Sequence, residues 1–377
     1  MPAFVGANGQ AGPSPQSSRL SHDDAYSALP LQVFILTWNT NKNLDHHEEL
    51  QEIFTESGAP HADLIAVGLQ EVPLNHSQLI KSLQIVAGRG HILYAAESLG
   101  TILLVILVKR HLLAFCSSVV PSAVHLRSCN CIRTKGSLAI YLKVFDSSFL
   151  FLTAHLAAGH SWKRLFKRTL ELRKIHAGTT IPGAPRCTPG RCRFDSVDFV
   201  FWAGDFNFRL SEERKSVEKI VQKVIHAEHV RQDEIRNLMA WDQLSRYKMA
   251  TTLRDFHEAP IDFLPTYKYD PRSHAYDTSR KQRIPSYTDR ILSRSGPGGM
   301  LVCRMYGSTR NVVTSDHKPV FGLFEARLVV RREQLLEDMP LATTASMLAR
   351  LYKRERRKAV RKRPVHGHIS ACGCGLM

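Results

Sequence analysis

Long apolar runs are missing from this chain. The longest, TILLVILV at 101–108, falls short of the roughly 18 residues that a membrane-spanning helix needs; its length and β-branched content predict a buried strand. Cysteine is scarce: 8 among 377 residues, at 116, 129, 131, 187, 192, 303, 372 and 374, exclude a disulfide-stapled scaffold. Cys187/Cys192 and Cys129/Cys131 lack a second half at zinc-site spacing, so they read as structural thiols. There is no glycine-rich phosphate loop, which argues against an NTPase. No basic stretch followed by an apolar one opens the chain; residues 1–30 read as a disordered leader, and the protein as cytosolic. The sequon Asn75-His-Ser77 then has no use. Internal repeats are absent. Acidic residues are outnumbered, 34 against 51 Lys and Arg, and the net charge of +17 implies a polyanionic partner or surface.

Strand-like segments recur at 31–38, 63–70, 101–109, 137–145, 148–156, 198–206 and 320–330. Helical spacing appears at 162–175 and within 211–240, where Val217, Ile220, Val221, Val224 and Ile225 form one apolar stripe. Strands as close in sequence as 137–145 and 148–156 favour hairpins. The pattern therefore predicts an α/β (α+β) chain, a two-sheet β-sandwich flanked by helices, in preference to a doubly wound parallel sheet.

Polar residues fall repeatedly where apolar strands end. Asn39 ends FILTWN, Glu71 ends DLIAVGLQE, His155 ends SFLFLTAH, Asp205 and Asn207 end FVFWAGDFN, and Asp316-His317 precede the last strand. One such residue is usually a turn former; together they predict a single site. A hard cation such as Mg²⁺ takes oxygen ligands and needs one or two carboxylates, so Glu71 with the Asn39 amide is the expected holder. Asp205 is the expected base for water. Asn207, His155 and His317 can donate to phosphoryl oxygens, with Asp316 orienting the neighbouring imidazole. The set points to phosphate-ester hydrolysis.

The stretches FWAGDFNFRL (201–210) and PSYTDRIL (285–292) resemble the paired signatures of the inositol polyphosphate 5-phosphatases. The order of TWNTN, GLQE, TKGSLAI, TAHLAAG, FLPTYKYD, KQRIPSYTDR and TSDHKPV is similar to that family over about 31–330. The resemblance implies the endonuclease/exonuclease/phosphatase fold and Mg²⁺-dependent release of a 5-phosphate from phosphoinositides, with soluble inositol polyphosphates as further substrates, by direct water attack. It implies Glu71 and Asn39 as Mg²⁺ ligands, Asp205 as the water-activating residue, and Asn207, His155 and His317 around the scissile phosphate. It also implies Tyr267, Lys268, Lys281 and Arg283 on a neighbouring 4-phosphate, and Arg290 with Asp289 in support, Arg290 counting among the substrate-binding residues. AAGHSWKRLFKRT after His155 departs from the Arg-Asn pair and acidic residue of many members.

A separate charge cluster, KRERRKAVRKR at 353–363, precedes CGLM, which fits a prenylation box at Cys374, with Cys372 open to acylation. One prenyl chain needs a second signal, and basic residues on an anionic leaflet supply it, so 331–377 reads as a basic tail for peripheral membrane attachment. Prenylation occurs in a subset of the resembled family. The competing readings are a Mg²⁺ nuclease or phosphodiesterase of the same superfamily, and an inactive lipid-binding scaffold. PTYKYD with KQR is a phosphate-reading set that a nuclease does not need, and stacking aromatics are not interleaved there, so nucleic acid is not expected as a partner.

Overall fold

Apolar segments of strand length supply eleven strands among the described residues of the computed structural model, which are 26–42, 47–127, 134–183, 193–227, 232–296 and 299–331. In chain order they are β1 (Tyr26–Asn39), β2 (Leu64–Gln70), β3 (His91–Leu99), β4 (Ile102–Lys109), β5 (Val120–His125), β6 (Gly136–Val144), β7 (Ser147–His155), β8 (Phe199–Asp205), β9 (Asp289–Ser295), β10 (Met300–Ser308) and β11 (Val320–Arg331). The α-helices of five or more residues, again among the described residues, are α1 (His47–Ser57), α2 (Ser77–Ala87), α3 (Trp162–Gly178), α4 (Arg214–Ile225), α5 (Gln232–Ala240) and α6 (Gln243–Tyr247). Residues 28–330 make one compact unit. The second unit, 1–27 with 331–377, lies outside the described residues except for Tyr26, Ser27 and Arg331. The basic run 353–363, Cys372 and Cys374 are thus not described.

Six strands in the order β10-β11-β1-β2-β4-β3 form one sheet, and β5-β6-β7-β8-β9 form the other. Both sheets are mixed: β1 runs parallel to β2 and β7 parallel to β8, while β4 and β9 pair antiparallel to their neighbours. Being apolar on both faces, β2 and β4 are covered on both. On one side Phe34, Leu36, Trp38, Val67 and Leu69 pack with Ile53 and Phe54 of α1 and Leu83 of α2. The second sheet buries Leu150, Leu152, Val200 and Trp202 with Leu172 and Ile175 of α3. Each such side chain removed from water contributes about 1.5–3 kcal/mol. Phenylalanines fill the sandwich, and the Phe201–Phe324 contact, centroids 5.0 Å apart, joins β8 to β11.

The sheets approach closely next to the strand ends. A Cβ on Gly68 would lie 2.5 Å from Thr153 Oγ1, and the Gln70 amide donates to Thr153 Oγ1 at 3.0 Å and to Thr37 Oγ1 at 3.1 Å. The predicted two-sheet sandwich is therefore observed. The helical reading of 211–240 resolves into α4 and α5, separated by 228–231, which are not described. Val217, Ile220, Val221 and Val224 are buried as the stripe requires, but Ile225, at the last position of α4, is 38% exposed. Strands β3, β5, β9 and β10 had no sequence expectation. β10 is mostly half-exposed and carries a bulge between Cys303 and Met305, which breaks the alternation that would announce it.

Candidate active site

Parallel pairing brings polar residues together, because parallel strands end at the same edge. In the first sheet Asn39 lies opposite Gln70, and Glu71 follows directly. In the second, His155 lies opposite Asp205, which is in turn opposite Asp289 of β9. Two left-handed backbone positions aim these side chains: Glu71 at φ 55 and Asn207 at φ 57 occupy a region that L residues rarely adopt. Gly204 at φ +146 sets Asp205, and a Cβ there would meet Ala154 O at 2.1 Å. Gly204→Ala is accordingly expected to lower the melting temperature by the equivalent of roughly 1–3 kcal/mol or more and to displace Asp205; an unchanged thermal unfolding curve would contradict it.

Asp205 is the hub. Its Oδ2 accepts from Asn39 Nδ2 at 3.1 Å and Asn207 Nδ2 at 2.9 Å and lies 3.1 Å from His155 Nε2; its Oδ1 accepts from the Asn207 backbone N–H at 3.0 Å. Glu71 stands at the edge, its Oε1 3.5 Å from Asn39 Nδ2 and 3.8 Å from His155 Nε2. Across the site His317 Nδ1 meets Asp289 Oδ2 at 2.9 Å, an oxygen that also accepts from Thr266 Oγ1 and Thr288 Oγ1. The His317 backbone carbonyl accepts from Trp38 Nε1 at 3.0 Å, and Ser315 Oγ donates to Asn39 O at 2.6 Å, which ties the 315–317 segment to β1.

Charge separates the two imidazoles. Burial, together with the neighbouring Lys135 ammonium, pushes the His155 pKa down, outweighing Asp205 and Glu71, so His155 is neutral. Burial also acts against His317, but the Asp289 charge and hydrogen bond, with Asp205 and Asp316, raise it to about 10, making it an imidazolium. For Asp205, burial alone would raise the pKa; the bond to His155 and the nearby cationic groups hold it well below the usual carboxylate range. With His155 neutral, the charges that keep Asp205 ionised are those of His317 and Lys135.

All of Asn39, Glu71, His155, Asp205, Asn207 and His317 thus converge as the sequence predicts. Tyr267 joins them, its ring against His317 with centroids 4.5 Å apart and under the Arg209 guanidinium at 4.2 Å. Asp316 requires a correction. Its carboxylate lies 3.4 Å from Lys268 Nζ, and the partner of the His317 ring is Asp289. Arg290 requires another: it is fully buried and held by Asp242 at 2.9 Å and Glu258 at 2.5 Å, so its charge cannot reach a substrate. It anchors β9 instead. Arg283 is half-buried and its N–H donates to Asp277 Oδ2, while Asp277 N–H donates to Lys268 O, which draws the two basic segments together. Lys281 is exposed on the adjoining turn.

Two groups were not assigned from sequence. Lys135 Nζ lies against His155 Nε2, and its own pKa is pulled down to about 8 by burial despite Asp205 and Glu71. Arg209 donates from Nε to Asn207 O at 3.1 Å and from Nη2 to Asn207 Oδ1, while its buried Nη1 has no partner among the described residues. Arg209 was visible as the third member of the 205, 207, 209 alternation.

Glu71 fits the metal-holding role: its side chain is 32% exposed, and its contacts with Asn39 and His155 are long. Asn39 presents its amide nitrogen to both carboxylates and uses Oδ1 to accept from Asn41 N–H at 3.1 Å, so ligation would require the amide to turn over. Asp205, Asp289 and His317 also place potential ligand atoms within 4.8 Å of one another. A protonated imidazole is no ligand, however, and this trio is better described as an imidazolium between two carboxylates.

Residues 36–323 match the Endonuclease/Exonuclease/phosphatase family 2. The chain belongs to that family. Among curated relatives of this family member, the mouse phosphatidylinositol polyphosphate 5-phosphatase type IV is 34% identical over 319 residues, 83% of this chain and 47% of that protein. A phosphatidylinositol 4,5-bisphosphate 5-phosphatase of Saccharomyces cerevisiae is 38% identical over 202 residues, 53% of this chain and 19% of its own length. The chain spans about half the length of the type IV relatives it matches. The crystal structure of the inositol polyphosphate 5-phosphatase domain of SpSynaptojanin, in complex with inositol (1,4)-bisphosphate and calcium ion, superposes with a TM-score of 0.68 at 25% identity, covering 90% of this chain and 94% of that one. A Cimex nitrophorin, solved as a ferrous NO complex, shares the family fold at TM-score 0.63 and 22% identity, over 79% of this chain and 99% of its own. Membership by fold alone therefore does not carry the chemistry; the side chains at the strand ends do.

Proposed function

We propose that this chain is an inositol polyphosphate 5-phosphatase, a phosphoric monoester hydrolase that removes the 5-phosphate of phosphoinositides such as PI(4,5)P2 and PI(3,4,5)P3, and of soluble inositol polyphosphates, by direct attack of water. One observation carries the reading: an ionised, buried Asp205 aligned by Asn39, Asn207 and a neutral His155, facing a cationic His317. Asp205 orients the attacking water and takes its proton as the new P–O bond forms and the ester P–O bond breaks, and the inositol oxygen leaves with the bonding pair and takes a proton from solvent. The incoming phosphate is itself negative and raises the Asp205 pKa toward the range a base needs. His317, fixed through Nδ1 by Asp289, and the free Nη1 of Arg209 donate to the phosphoryl oxygens as charge develops. Glu71, with Asn39, would hold Mg²⁺, which when bound supplies Lewis-acid stabilisation of the same oxygens.

Phosphate release from PI(4,5)P2 and from PI4P, with and without Mg²⁺, tests the proposal. Release from the first alone, dependent on Mg²⁺, is the expected result; no release from any 5-phosphorylated inositol, lipid or soluble, would overturn it. Tyr267, Lys268, Lys281 and Arg283 read the 4-phosphate in this scheme. Lys268→Ala should then lower kcat/KM for 4-phosphorylated substrates by about 1.5–3 kcal/mol, a charge-assisted contact. An equal loss on a substrate without the 4-phosphate would remove Lys268 from that role. The basic run 353–363 and a prenylated Cys374 attach the enzyme to an anionic membrane; neutralising the run should weaken vesicle binding by about 1 kcal/mol per charge, and less at high salt, as measured by co-sedimentation.

A further inference from the structure

A cavity of about 430 Å³ adjoins the site through its walls without containing any of its proposed catalytic groups. Lys318, next in sequence to His317, and Tyr269, next to Lys268, line it together with Tyr276, Arg310, Asn311 and His274. Lys318 is only 3% exposed. Its Nζ donates to Val312 O at 2.6 Å and sits 4.7 Å from the Tyr269 ring centroid. An ammonium has three N–H groups to satisfy, and a lysine this buried is ordinarily paired with an acid. Among the described residues no carboxylate forms an ion pair with Lys318 or Arg310, and none lines the cavity. The two phenols are already engaged, bonded to each other at 2.8 Å and to Pro265 O. Burial and the Arg310 charge pull the Lys318 pKa down to about 8, the behaviour of a cation without a counter-charge.

We propose that this cavity is a second, non-catalytic anion site, which takes the phosphate of a small phosphorylated molecule between Lys318 Nζ and the Arg310 guanidinium, with His274 and Asn311 at its mouth. The volume is that of a small-ligand site, and phosphate supplies the acceptors that Lys318 lacks. The same chemistry is offered by a soluble phosphate ester and by a phosphomonoester lipid headgroup.

Calorimetric titration of the full chain with glycerol 2-phosphate, against glycerol as the uncharged control, and co-sedimentation with phosphatidylcholine vesicles with or without phosphatidic acid distinguish the two sources. Arg310→Ala is exposed and lies outside the proposed catalytic machinery, so it is expected to fold and hydrolyse as the parent does; Lys318→Met is the companion variant. Binding weakened at least tenfold by Arg310→Ala but not by Lys268→Ala establishes the site, with a soluble ligand if the ester shows the loss and a lipid headgroup if only the phosphatidic acid vesicles do. Binding that Arg310→Ala leaves unchanged in both arms, or that both substitutions weaken equally, overturns it.

Discussion

Asp205→Asn is expected to remain folded and to release phosphate about 10²–10⁴ times more slowly than the parent, the contribution typical of a positioned base. The substitution keeps the shape of the hub, and its one oxygen can still accept from the Asn39 and Asn207 side-chain amides, but its NH2 replaces the acceptor of the Asn207 backbone N–H and the charge that faces His317 and Lys135 is removed. Stability should report the same loss. Because the folded pKa of Asp205 is depressed, its ionisation contributes stability above the usual carboxylate pKa, and that contribution is lost as pH falls below it. The variant should therefore melt lower at neutral pH and show a shallower acid-side decline. Activity within tenfold of the parent would exclude Asp205 as the base.

Asp289→Asn acts on the opposite charge. His317 is held to about 10 against its own burial first by the Asp289 charge. Without it the ring should be neutral at pH 8, and the rate there should fall about 10²–10³-fold, as for loss of a preorganised donor. The more specific readout is the pH profile. In the parent the alkaline limb is expected near 10; in the variant it should move several units down, with partial recovery of rate at pH 6. The parent pair also stabilises the fold fully below the unfolded imidazole pKa near 6.5, and this contribution declines across the window up to about 10, because a raised folded pKa favours the protonated ring. An unshifted alkaline limb would show that His317 does not need Asp289.

The sandwich and most of the site are legible in the sequence because both depend on local alternation. An apolar strand that ends in a polar residue announces a mouth, and parallel pairing carries each such residue to one edge, as with His155 and Asp205. What sequence could not supply was the partner across the fold. Asp316 is adjacent to His317 in the chain, yet Asp289, 28 positions away, reaches its ring, while Asp316 turns to Lys268. Arg290 illustrates the same limit: an arginine in a signature looks like a phosphate reader until Asp242 and Glu258 are seen to enclose it. Lys135 sits in TKGSLAI with no spacing rule linking it to His155, and only the pairing of β6 with β7, Gly136 opposite His155, brings them together.

The close approach of the sheets at Gly68 and Thr153 makes the site a gauge of their alignment. Glu71 and Asn39 belong to one sheet and His155 and Asp205 to the other, so no half of the molecule holds a working set. A slip between the layers too small to expose the core would still separate the hub from Glu71 by more than its 3.8 Å contact to His155 tolerates. Function should therefore disappear before the phenylalanine interior opens, and inactivation in mild denaturant should precede the loss of near-ultraviolet circular dichroism.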